Sequence, residues 1–464
     1  MTGLEDHEGD LAAALAKIGR SAMFAELVAQ RWSGESVQVD SKTTTLSARP
    51  RLQGVVFRAW AGGHWQEAAA SALAGAELES SVTRLASELA RASGGPAPPG
   101  APSTSRGEWT THPRRALRDL GAEGTISLAK QCRDWALAVP GIGETQVRLS
   151  WDEEQRLYLN TAGARCYQAI TRTHGLVVPI AMEGGRPEFD YWNAGGVGGL
   201  EVLGTLDEPT VRGVAEGSKA MLAAKAPPAG AMDVLLDPSV GGLFAHESFG
   251  HGTEADQFVR DRSYLKPILG QQVGPESLTL VDDGSRAGAW GSIYCDDEGH
   301  RSQRTVLVDR GRFVGALHDR ETAALLHATP TGNTRRADFL SRAFVRMTNT
   351  FVEPGDRSFE ELISEVDQGV LLEHGTSGIE DPLGGQMQLK VKKGHRIEHG
   401  KLTDLVGSMA LSGKVLDFLR EIKGVGTKEG FVINPGFCGK GHSDYVPAGT
   451  GGVYLLSHAI VGTA

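Results

Sequence analysis

The stretch from Asp237 to Asp256 carries two histidines five positions apart, His246 and His251, with Glu247 directly after the first. Two imidazoles and a carboxylate at close spacing are the residue types that hold a divalent metal and handle the proton of its bound water. The common arrangement, H-E-x-x-H, stacks the imidazoles one helical turn apart. Here the spelling is H-E-x-x-x-H. At about 100° per residue, the fifth step swings the second ring roughly 140° from the first, so a regular α-helix aims the rings apart. They meet if one residue loops out as a π-bulge, and Gly250, just before His251, is a natural place for it. The frame of this helix is also written in the chain. Asp237 caps it, Pro238 suits its first turn, and residues 232–236 form a buried strand that feeds it.

Two histidines leave a metal site incomplete. The preferred third ligand is Cys438, in Gly436-Phe437-Cys438-Gly439-Lys440-Gly441-His442, because a thiolate binds zinc well and flanking glycines permit close backbone approach. Glu254 is the alternative third ligand.

These pieces and their surroundings resemble the TldD branch of the TldD/PmbA family of metallopeptidases. The His246-to-His251 motif continues into Gly252-Thr253-Glu254-Ala255-Asp256 as the family's motif helix does. Gly332-Asn333-Thr334-Arg335-Arg336, followed by Arg346-Met347-Thr348-Asn349-Thr350, looks like the family's central signature, and Cys438-Gly439-Lys440 like its C-terminal cysteine motif. Order and spacing agree over most of the chain. The resemblance implies a Zn2+-dependent peptidase in which Glu247 is the general base. It implies unfolded peptides or leader peptides as substrates, which enter an enclosed channel and pair as a strand with the protein's own sheet. It also implies a dimer, commonly a heterodimer with a motif-less TldE/PmbA-type subunit, with a homodimer as the other arrangement. Some relatives process a small peptide-like or natural-product conjugate in biosynthesis, which is the second functional reading. The chain departs from the pattern at His442, where the family usually has glutamine. Lying four residues after Cys438, His442 is either a ligand or a substrate contact.

Bulk properties agree with an enzyme of this kind. A chain of 464 residues suggests two or three domains. With 40% hydrophobic and 22% charged residues it reads as a soluble globular protein. The net charge of −10 argues against a nucleic-acid or anionic-membrane partner. The four scattered cysteines follow no disulfide framework, and the polar start has no signal-peptide pattern, so a cytoplasmic location is expected. The 61 glycines imply many tight turns and a β-rich body.

The expected fold class is α+β: an N-terminal α+β domain with an antiparallel sheet over 1–228, and a β-rich catalytic domain over 229–464 carrying the metal-site helix and the Cys438 loop. Periodicity predicts helices over 11–31, 66–91, 126–138, 208–224 and 406–422. Strands are predicted at 36–40, 54–60, 144–151, 154–160 and 166–174. A flexible loop is expected at about 92–107, where large apolar residues are scarce. Asp296-Asp297-Glu298 reads as a solvated acidic turn. His318, Arg335, Arg336, Arg346 and Asn349 are candidate substrate contacts, and His318 or one of the arginines is a candidate oxyanion donor. For the arginines, partnership with an acidic shell is the preferred reading.

Overall fold

The computed structural model describes residues 3–92, 94–440 and 444–463. The N-terminal part is built on a long twisted sheet. Strands His64–Ala70, Thr44–Ala61, Phe24–Val39, Ile142–Asn160 and Arg165–Glu183 follow one another antiparallel, and Arg106–Thr110 closes the far edge in parallel. Strict alternation divides the labour of its two faces. Leu27, Val37, Phe57, Val147 and Leu157 point to one face, under the helices Glu8–Gly19, Gly75–Arg91, Gly121–Leu137 and Glu208–Ala220. Glu26, Arg58, Glu154, Arg156 and Arg172 belong to the other face, which is covered by the C-terminal part.

The C-terminal part holds two further sheets. One runs Arg312–Phe313, Arg304–Asp309, Leu280–Asp283, Asn349–Val352, Asp444–Gly452, Val432–Lys440, leaving the last as an edge. In the other, Gln368–Glu380, Gly230–Leu236, Leu455–Thr463, Met409–Lys414 and Gln386–Glu398 pair in turn, and the last pairs back onto the first. This closes a small barrel with no free edge among those five strands. The main core lies between the barrel, the open sheet and the metal-motif helix, with Phe244 against Phe418 at 4.4 Å and Phe249 against Phe313 at 5.4 Å. The fold class is thus α+β with antiparallel sheets, as the sequence implies. No helix among the described residues is long and apolar enough to cross a membrane.

Several local expectations are corrected. The first helix stops at Gly19, and a strand from Phe24 takes Leu27 and Val28. These neighbours are buried on opposite faces, which a strand covered on both sides permits. Residues 64–70 are a strand before the helix Gly75–Arg91. The region read as helix 406–422 splits into the strand Met409–Lys414 and the helix Val415–Arg420, because barrel closure needs the strand. The connection over 92–107 has fixed points: the Trp60 indole donates to Pro96 O at 2.7 Å, and Ser103 is buried. Asp296, Asp297 and Glu298 are buried rather than solvated. Arg156 meets Asp297 at 2.6 Å, and Arg58 meets Glu298 at 2.9 Å.

Candidate metal centre

The strand Gly230–Leu236 lies inside the barrel and delivers the chain to Asp237. The Asp237 carboxylate accepts from the Val240 N–H at 2.8 Å, capping the helix Pro238–Leu243. Phe244–Gly250 then continues as a π-helix, and the His251 N–H donates to the His246 carbonyl five residues back. That i→i+5 closure brings the two imidazoles together, with centroids 5.2 Å apart and planes at 83°. Gly250 leaves room there for Met347: a Cβ on it would lie 2.2 Å from the Met347 sulfur, which would have to shift.

Cys438 reaches the histidines from the edge strand Val432–Lys440, where it pairs with Val446. The cysteine is therefore on a strand, not in a loop flanked by strands as expected. Its Sγ lies 3.5 Å from His251 Nε2. One ligand atom from each of His246, His251 and Cys438 falls within 4.8 Å of the others. Burial opposes ionisation of the Cys438 thiol, but His251 and His246 outweigh it and hold the thiol well below its ordinary value. Burial likewise opposes protonation of His251, and Cys438 and Glu254 reverse that. A mutually stabilised thiolate and imidazoles, with His246 Nδ1 buried and lacking a hydrogen-bond partner, is a donor set suited to a borderline-soft divalent cation.

Glu254 is not gathered with these three. It is buried, its Oε2 lies 3.5 Å from His251 Nδ1, and it accepts from Lys440 Nζ at 2.8 Å. Lys440 also donates to Asp256 Oδ1 at 2.8 Å and to the Val345 carbonyl at 3.0 Å. Burial opposes the Glu254 charge, while Lys440 and His251 keep its carboxyl well below the usual range. The carboxylate thus faces the far nitrogen of His251 and orients that ring. Lys440 was missed as an individual residue. The signal for it is period two, which puts it on the same strand face as Cys438.

Glu247 and His246 line a cavity of about 850 Å³. One wall is His374–Gly378 from the barrel, another is the edge strand from Val432 to Phe437, and Tyr191, Trp192 and Asn193 of the N-terminal part face them. Glu247 is half-buried, with Oε2 3.9 Å from His251 Nε2. The other sequence candidates lie outside this lining. His318 is buried, its N–H donates to Thr331 Oγ1 at 2.7 Å, and burial pushes its imidazole down to about 4. Asn349 donates to the Asp283 carbonyl at 2.7 Å. Arg335 donates to the Met347 carbonyl at 2.9 Å, Arg336 pairs with Glu67 at 2.7 Å, and Arg346 donates to the Cys438 carbonyl. The arginines thus serve the acidic shell and the backbone behind the site. His442 lies outside the described residues. His374 lines the cavity, and nothing in the single sequence singles it out.

Comparison with known proteins gives the family. Residues 229–456 match the PmbA/TldA metallopeptidase C-terminal domain and residues 115–225 the corresponding central domain. A metalloprotease of Methanothermobacter thermautotrophicus is 36% identical over 329 residues, 70% of this chain and 71% of its own. A Saccharolobus solfataricus protein named a zinc metalloprotease TldD homolog is 30% identical over 230 residues, 49% of this chain and 51% of its own. The crystal structure of TldE from Thermococcus kodakarensis superposes with a TM-score of 0.75 at 16% identity, covering 98% of this chain and 100% of that one. The chain belongs to the TldD/PmbA family of metallopeptidases.

Proposed function

We propose that this chain is a zinc-dependent peptidase acting on unstructured peptides or leader peptides, with His246, His251 and Cys438 as ligands and Glu247 as general base. The observation that carries the reading is the convergence of two imidazoles and a thiolate, with His246 and Glu247 lining a cavity of about 850 Å³. Three protein ligands leave one coordination position, the pattern of catalytic rather than structural zinc. When bound, zinc supplies Lewis acidity and lowers the pKa of water. Glu247 accepts the proton of the attacking water and returns it to the leaving amine. Glu254, fixed by Lys440, holds His251 in one orientation. Arg346 steadies the cysteine strand through the Cys438 carbonyl.

The edge strand Val432–Lys440 supports strand-like peptide capture. Its outer side carries no paired strand among the described residues, and it borders the cavity from Val432 to Phe437. A peptide pairing there is held by its backbone and not by its sequence. The separate sheets of the two parts support a division at 228/229. The four free cysteines fit a reducing cytoplasm. The likeness to TldE supports a dimer with a motif-less subunit of that type.

The test is mass spectrometry of an unstructured peptide mixture incubated with the purified chain and with Glu247→Gln. Cleavage by the parent alone is expected. Equal cleavage by both removes Glu247 from the mechanism. Cleavage by neither, with metal bound and a TldE-type subunit added, overturns the peptidase reading and favours a biosynthetic step on a small conjugate.

A further inference from the structure

The neighbours of the edge strand Val432–Lys440 decide which of its backbone groups face outward. It pairs with Asp444–Gly452 without a break in register, Pro435 opposite Gly449 and Phe437 opposite Pro447. The Gly449 N–H donates to Thr348 O at 2.8 Å, toward the parallel strand Asn349–Val352, so Gly449 turns away from the edge strand. In an antiparallel pair, facing residues exchange both bonds or neither, and the two kinds alternate along the ladder. The pairs at Pro435 and at Phe437 are therefore of the unbonded kind, as the missing N–H groups of Pro435 and Pro447 also require. Phe437 thus turns its N–H and C=O to the open edge, where among the described residues no backbone partner meets them. The next residue along the strand is Cys438.

Strand alternation sends the Phe437 and Cys438 side chains to opposite faces. Cys438 is 3% exposed and meets the histidines, whereas Phe437 is 54% exposed. Phe437 borders a second cavity of about 370 Å³, walled also by Trp290 and by Trp151 and His174 of the N-terminal sheet. The Phe437 and Trp290 rings stand edge to face at 5.8 Å, and His174 is 5.7 Å from Trp290. The polar groups of this chamber are held by one another. His174 Nε2 lies 2.7 Å from Asn193 Oδ1, and burial keeps its imidazole below the ordinary value, so the ring is neutral. Arg148 Nε donates to Ser36 Oγ at 3.1 Å, and Asp152 accepts from the Trp32 indole at 3.1 Å. Glu35 and Arg148 give the lining charges of both signs. Aromatic rings, and no cation or anion standing alone, are what the chamber offers.

Building on the peptidase reading, we propose that this chamber takes an aromatic side chain of the substrate, from the residue that pairs with Phe437. A peptide added to the open edge exchanges backbone bonds with Phe437, and side chains directly opposite each other in a sheet lie on the same face. The side chain across from Phe437 therefore lands beside the Phe437 ring, against Trp290. An aromatic side chain gains edge-to-face packing there that alanine or lysine does not. Because Cys438 follows Phe437 directly, the selected residue adjoins the scissile bond. Backbone pairing stays indifferent to sequence elsewhere, and this one position carries a choice.

The test uses three unstructured alanine-serine octapeptides, N-acetylated and C-amidated, identical except for phenylalanine, alanine or lysine at one central position. The metal-loaded parent is expected to cleave the phenylalanine peptide with kcat/KM about tenfold above the other two, at a bond of the phenylalanine or the bond next to it. Ser150→Phe and Ser47→Phe each add a ring to the chamber lining from a different strand, Ser47 at an exposed position. Each is expected to bring the ratio of phenylalanine to alanine close to one, and loss of the preference in either folded variant sustains the proposal. Equal cleavage of the phenylalanine and alanine peptides by the parent, faster cleavage of the lysine peptide, cleavage away from the phenylalanine, or a preference that survives both substitutions overturns it. If the parent cleaves none of the peptides, the peptidase reading fails by itself. Calorimetric binding of the same three then decides the chamber: about tenfold tighter binding of the phenylalanine peptide, lost in Ser47→Phe, sustains it, and any other result overturns it.

Discussion

Two buried polar clusters lie close together in this molecule, and they differ in what their charges face. Between the N-terminal sheet and the C-terminal part, Glu26, Glu154, Asp297 and Glu298 meet Arg58, Arg156, Arg172 and Arg320 within salt-bridge reach. Carboxylate meets guanidinium throughout, and the cluster works as a joint. At the candidate metal centre, one ligand atom from each of His246, His251 and Cys438 lies within 4.8 Å of the others, beside an open cavity. Density of charged residues therefore does not mark a functional site; metal-ligating donors converging on one point beside a cavity do.

The largest separation between the clusters is expected in catalysis. Glu247→Gln should lower peptide hydrolysis by about 10²–10⁴-fold, the usual worth of a general base, with metal content per chain unchanged by elemental analysis. Loss of metal together with activity would make Glu247 part of the binding set and blur the distinction. Next in size, Asp297→Ala should destabilise the fold by about 3–5 kcal/mol in urea unfolding, because buried Arg156 keeps only Glu154 of its two carboxylates and the Arg336 N–H loses its acceptor. Metal affinity should stay at the parent value. A fall in affinity with intact stability would mean that the joint is coupled to the site.

A smaller, graded effect follows from pH. Burial opposes ionisation of Glu154 and Glu298, yet their arginine partners hold both carboxyls at about 2. A native pKa below the unfolded one gives stability that is present above about 4.5 and is lost as pH falls toward 2. His318, pushed down to about 4 by burial, adds a loss that begins below about 6.5, because the unfolded imidazole takes a proton that the native one refuses. Relative to a His318→Asn variant, the parent's urea midpoint should therefore lose ground between pH 6.5 and 4, and it should fall steeply below about 4.5. Glu154→Gln should flatten the lower limb and leave the upper one, whereas a parallel shift of both would remove the arginine network as the cause.

The meeting of His246, His251 and Cys438 was largely legible in the sequence, and the joint was not. A five-residue step from His246 to His251 admits few solutions, and the π-helical turn is the one found. Cys438 was legible as a ligand candidate but not as a strand residue, because glycines and a proline around it spell a loop unless the chain runs at a sheet edge. Asp296-Asp297-Glu298 read as a wet turn because their partners are remote: Arg156 precedes Asp297 by 141 residues and Arg58 precedes Glu298 by 240. Local pattern carries no record of such pairings. His374 was illegible for the same reason, since its partner Asp190 comes from the other part of the chain.

The finest test of the comparison is Lys440, which belongs to the metal centre yet is paired as the joint residues are. Its ammonium is nearly buried between Glu254, Asp256 and the Val345 carbonyl. If the centre depends on outer contacts to aim His251, Lys440→Met should weaken metal binding about 10–100-fold in a chelator competition, the usual cost of losing such support. The mechanism is indirect: Glu254 loses its counter-charge, its carboxyl rises toward the ordinary range, and its hold on His251 Nδ1 slackens. Glu254→Gln in the same assay should give a loss of similar size, and the double variant little more than either single one, because both break one chain of contacts. Additive losses would mean that Lys440 acts elsewhere, through Asp256 and Val345. No loss in either variant would mean that the π-helical backbone alone aims the imidazole, and that this ion pair is packing of the same kind as the joint.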